Sequence, residues 1–91
     1  MLIHTVIFWL KKSLNTEDRS QFFQGVEKLG EIQCVKHNFI GTPANTTKRP
    51  VVDDTYDCAL TVVLKDLKDH DLYQVDPIHL NFIKECSHLW E

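Results

Sequence analysis

The 91 residues are 43% hydrophobic and 25% charged, with ten basic against thirteen acidic side chains. That is the profile of one globular domain, residues 1–91, and it excludes an intrinsically disordered chain. A formal charge of -3 and no basic cluster denser than Lys11-Lys12 or Lys48-Arg49 exclude a nucleic-acid surface. No stretch reaches the ~20 apolar residues of a bilayer span, and the apolar run after Met1 has neither the basic flank nor the cleavage site of a leader. Cys34, Cys58 and Cys86 are odd in number and lack C-x-x-C spacing. They read as reduced thiols of a cytoplasmic protein, with no disulfide framework and no metal site. A chain this short buries only about 60% of its unfolded surface, so association is expected to help it.

Leu2 to Leu10 predicts a strand. Parity places His4, Val6, Phe8 and Leu10 on one face and Ile3, Thr5, Ile7 and Trp9 on the other. Both faces are largely apolar, so both are expected to be covered. Asn15-Thr16-Glu17-Asp18 predicts a capped helix start, and the helix runs to about Gly30 with Phe22, Val26 and Leu29 as its apolar stripe. A second strand is expected over Cys34 to Ile40. Thr42 to Asp54, polar and carrying two prolines, reads as an exposed loop. A third strand is expected over Thr55 to Lys65, with Tyr56, Cys58, Leu60, Val62 and Leu64 sharing one face.

After Asp66 a short helix is expected to carry Leu67, His70 and Leu72 towards Tyr73. Asp76-Pro77 then restarts the chain, an N-cap followed by the residue best suited to the first helical position. The final helix is expected to run to about Trp90 with Leu80, Ile83, Cys86 and Trp90 as its apolar face. The order is α+β, a ferredoxin-like βαββα(β) pattern: an antiparallel sheet with helices on one face.

Three stretches in order, IHTVIFWLK, TYDCAL and YQVDPIHLNF, resemble the stress-responsive α/β-barrel (Dabb) family over nearly the whole chain. Two positions depart from it: Asp76 stands where the family usually has histidine, and the family's fourth strand after the last helix is missing. The resemblance implies a dimeric α/β barrel in which two sheets pack face to face, here through Ile3, Ile7, Trp9 and Val63. The missing strand would lie beside the first one, so the natural protein is expected to continue past Glu91 or to cover that edge otherwise.

The resemblance to a polyketide cyclase of this family implies a pocket between sheet and helices with His4, Tyr73 and His79 as catalytic candidates. Cys58 and Phe8 are the further pocket candidates, Cys58 replacing a histidine of the cyclase type. No cofactor or metal is implied. A neutral imidazole can take a proton alpha to a carbonyl while a phenol holds the enolate oxygen. His79, third in its helix, is expected to be kept neutral by the helix N-terminus and to give its backbone N–H to Asp76. A small organic ligand and acid–base chemistry form one reading. A non-catalytic stress or scaffold homodimer is the second, and a cofactor-independent monooxygenase of the related barrel type is the third. The sequence leaves open whether the chain is an enzyme.

Overall fold

In a computed structural model, which describes residues 1–91, the alternation of apolar residues is realised as three antiparallel strands. They are β1 (Leu2–Phe8), β2 (His37–Gly41) and β3 (Cys58–Leu64), in the order β1-β3-β2. Strand β3 is central: Phe8 pairs with Cys58 and His4 with Val62 on one side, and Asn38 pairs with Val62 on the other. Cys58, Leu60, Val62 and Leu64 are buried while their neighbours are half-buried, so one face carries the core. Helices α1 (Thr16–Leu29), α2 (Leu67–Val75) and α3 (Pro77–Cys86) add Phe22, Val26, Leu29, Tyr73, Phe82 and Cys86 to that core, and Phe8, Leu10, Ile32 and Leu89 complete it. Ile3 and Phe39, both 62% exposed, with Ile7 and Trp9 mark the opposite face of the sheet.

The helix starts follow the capping chemistry read from the sequence. Asn15 accepts from the Asp18 amide at 2.8 Å, and the Asp18 carboxylate closes a capping box on the Asn15 amide. Gly25 lets α1 approach α3, because a Cβ there would stand 3.0 Å from both Cys86 Sγ and Phe82. The Asp76 carboxylate accepts from Ile78 at 2.9 Å, not from His79: the short side chain reaches the second helical amide.

Several boundaries and faces differ from expectation. Strand β2 begins at His37, because residues 32–35 form a turn closed by Val35 N–H donating to Ile32 O. Helix α3 stops at Cys86 and gives way to a 3-10 turn over Ser87–Leu89. Trp90 is extended there and forms an isolated antiparallel bridge with Leu10, flanked by Glu91 N–H donating to Trp9 O at 2.8 Å. The buried face of α3 is Phe82 and Cys86, with Ile78 packed beside them at four-residue spacing. Leu80 and Ile83, expected inside, lie a helical phase away and are exposed. Leu67 and Leu72 are likewise exposed, and Tyr73 is the residue α2 buries. No helix is long and apolar enough to cross a membrane.

Asp57 ties the end of β1 to α1. Its carboxylate accepts from the Leu10 amide at 2.7 Å and from the Arg19 guanidinium at 2.9 Å, while its own amide donates to Phe8 O. Arg19 is half-exposed, so its ion pair contributes little, whereas the Leu10 amide belongs to a buried residue and has no solvent to replace a lost acceptor. Asp57→Ala is therefore expected to destabilise by about 1–3 kcal/mol and Arg19→Ala by less than about 1 kcal/mol. Urea denaturation of the two variants checks this, and equal losses would contradict it.

Candidate functional site

The break at Asp76-Pro77 determines what α2 and α3 can present to β1. Tyr73 lies in the last turn of α2 and His79 in the first turn of α3, so the junction folds them towards each other with ring centroids 4.9 Å apart. His4, on the helix-facing side of β1, is 5.9 Å from the Tyr73 ring. All three border a cavity of about 370 Å³, with Phe8, Leu29, Leu60, Phe82 and Trp90 among its apolar walls and Gln74 and Glu91 among its polar ones. The structure thus brings His4, Tyr73, His79 and Phe8 together at one cavity.

Cys58 is placed elsewhere. It is fully buried opposite Phe8 in the core and does not border the cavity. Burial, followed by the charge of Asp57, pushes its thiol up to about 11, so it stays protonated near neutrality. His70 was not a sequence candidate, yet its ring meets His4 edge-on at 4.9 Å. Gln74, one turn after His70, is the other polar group that sequence reasoning missed. His70 lies outside the stretches that carry the family resemblance, Gln74 lies within YQVDPIHLNF beside Tyr73, and the signal that links the two is their four-residue spacing on one helix.

The electrostatics set the protonation of each group. His79 is lowered from 6.5, first by burial and then by the charge of His4, with a smaller contribution from His70; Asp76 and the Gln74 backbone carbonyl oppose the shift. Burial, where the helix N-terminus was the expected cause, leads the shift that keeps it neutral near pH 7, and His4 opposes a second positive charge beside it once His4 itself is protonated. His4 is lowered by burial and by His70. Tyr73 is pushed up to about 12, chiefly by burial and then by Cys34. Near pH 7 the cavity therefore holds two neutral imidazoles and one protonated phenol. His79 Nδ1 is buried with no hydrogen-bond partner, which leaves Nε2 as the ring nitrogen able to serve a ligand. No group of three or more His, Cys, Asp or Glu side chains is arranged to hold a metal ion.

Both depressed histidines favour the neutral form in the folded chain. Below 6.5 the unfolded chain binds more protons, so their contribution is full above that pH and lost as pH falls through the folded values. Urea midpoints are expected to fall between pH 7.5 and 5, and to fall less steeply in His79→Leu. An unchanged slope in that variant would show that His79 does not carry the effect.

Comparison with known proteins agrees with this architecture. Among solved structures, a hydroxynitrile lyase from Passiflora edulis superposes with a TM-score of 0.78 at 22% identity, over 98% of this chain and 82% of that one. A Dabb family protein with a ferredoxin-like fold from Mesorhizobium loti gives 0.70 at 24% identity, over 91% and 78%. A dimeric ferredoxin-like protein of unknown function from Thermobifida fusca gives 0.74 at 18% identity, over 97% and 79%. At these identities the likeness is one of fold. No curated protein matches the chain. The family model of the stress responsive A/B barrel domain matches residues 2–91, and the chain belongs to this Dabb family.

Proposed function

We propose that this chain binds a small organic molecule in the cavity between sheet and helices and moves a proton on it, with His79 as base and Tyr73 as hydrogen-bond donor. The observation that carries the reading is the pairing of a neutral imidazole with a protonated phenol, 4.9 Å apart on the wall of an apolar cavity. Such a pair suits removal of a proton from carbon alpha to a carbonyl, or from the hydroxyl of an α-hydroxynitrile, whose C–CN bond then breaks so that a carbonyl forms and cyanide leaves with the bonding pair and takes up the proton. His79 Nε2 accepts that proton. The Tyr73 hydroxyl donates to the oxygen on which charge develops, an interaction strengthened where water is scarce. His4 faces the same space. The lyase from Passiflora edulis shares the fold and supports α-hydroxynitriles as the first compounds to try, with methyl ketones bearing a second carbonyl as the cyclising alternative.

The same proposal includes a homodimer through the uncovered sheet face. Ile3, Ile7 and Trp9 are exposed there, with Val63 half-buried opposite Ile3, and the Thermobifida fusca relative is described as dimeric. The Thr5 and Thr61 hydroxyls, 3.2 Å apart, interrupt this apolar face by pairing with each other, and a partner sheet would cover the whole of it. Sedimentation at micromolar concentration is expected to give twice 10.6 kDa, and Ile3→Glu to give the monomer. A wild-type monomer would count against this assembly.

For the chemistry, His79→Ala is expected to lower turnover of an accepted substrate by ~10²–10⁴-fold. Tyr73→Phe is expected to lower it by ~10–10³-fold. Steady-state assays over a panel of α-hydroxynitriles and β-dicarbonyl compounds check both numbers. Activity that survives both substitutions would remove these residues from the reaction.

A further inference from the structure

Gln74 touches two parts of the site. It borders the cavity, and its side-chain Nε2 stands 3.3 Å from His70 Nε2. Its backbone carbonyl lies close enough to His79 to oppose the lowering of that imidazole. On the far side of the His70 ring, Nδ1 stands 3.4 Å from the Asp71 carboxylate. A carboxylate can only accept, so a neutral His70 carries its proton on Nδ1 and turns a lone pair at Nε2 towards Gln74. The amide must then give its NH₂ group to His70. That leaves the Gln74 carbonyl oxygen as an acceptor for whatever occupies the cavity.

The other walls narrow the occupant further. Phe8, Trp9, Tyr73, Phe82 and Trp90 surround it with aromatic surface, no Lys or Arg borders it, and Glu91 is its only carboxylate. An anionic ligand would enter without a counter-charge, whereas an uncharged aromatic molecule loses nothing by desolvation that the rings do not replace.

We infer that Gln74 is the recognition residue of this cavity, held by His70 and Asp71 with its carbonyl oxygen free, and that it selects uncharged aromatic ligands bearing a hydroxyl donor. This rests on the cavity being a ligand site, as proposed above, and not on any turnover. His70 is a positioning residue: it contacts Gln74 and His4 and does not border the cavity.

The test uses the whole chain at pH 7.5, labelled with ¹⁵N, and three probes: benzyl alcohol, benzyl methyl ether and benzoate. Long-range ¹H–¹⁵N spectra of the imidazole rings are expected to show the His70 proton on Nδ1. Titrations are expected to show benzyl alcohol binding about tenfold tighter than the ether, the worth of one neutral hydrogen bond, and tighter than benzoate by at least as much. Gln74→Leu is expected to equalise alcohol and ether. His70→Phe is expected to weaken the preference about threefold, and His70→Asn, whose amide oxygen still accepts from Gln74, to restore it. Circular dichroism melts identify any variant that has failed to fold, and the wild-type spectra and titrations decide the question without it. A proton on Nε2, equal affinities for alcohol and ether, or no saturable binding of the alcohol would each overturn the inference. Alcohol preference without turnover of any hydroxynitrile or ketone would leave it standing and remove only the proposed reaction.

Discussion

Burial of one face of β3 is the constraint on which the rest of this chain depends. Cys58, Leu60, Val62 and Leu64 have to be covered, and a 91-residue chain has only three short helices with which to cover them. Helix α1 contributes Phe22, Val26 and Leu29 to the core over it, α2 contributes Tyr73, and α3 contributes Phe82 and Cys86. The space that remains lies beside β1, where α2 ends and α3 begins. The cavity is therefore a product of the way the helices cover the sheet.

The Asp76-Pro77 break turns that space into a candidate site. A continuous helix would carry Tyr73 and His79 six residues apart, on different phases of one cylinder. The break lets each leave its own helix towards β1, and the low solvent access that makes Tyr73 a poor acid also makes His79 and His4 neutral bases. One cause, desolvation, thus leads the shifts of all three groups. Proximity of the imidazoles adds to it, because protonation of one opposes protonation of the next.

The sequence made the fold legible where local chemistry and periodicity agree. The parity of β1 put His4 and Phe8 on the side where they lie, and the Asn15 and Asp76 caps marked two helix starts. Reading failed where phase is decided by tertiary packing. Leu80 and Ile83 are as apolar as Phe82 and Cys86, and only the position of α1 shows which pair turns inward. Trp90 looked helical because nothing in LWE tells of the bridge to Leu10. Of the site, His4, Tyr73, His79 and Phe8 were reached by resemblance to a family. Cys58 was also expected there, but on that face of β3 it is Leu60 that borders the cavity, while Cys58 is fully buried in the core. His70 lay beyond reach, since its neighbour His4 is 66 residues away and no spacing rule connects them.

The central claim is that this cavity receives an organic ligand between the imidazoles and the phenol. A crystal structure of the chain soaked with acetophenone tests it most directly. The expected density places the ketone oxygen within hydrogen-bond distance of the Tyr73 hydroxyl and the methyl carbon beside His79 Nε2. Saturating ligand with the cavity closed over by Phe82 and Trp90, or bound only on the exposed sheet face, would contradict it.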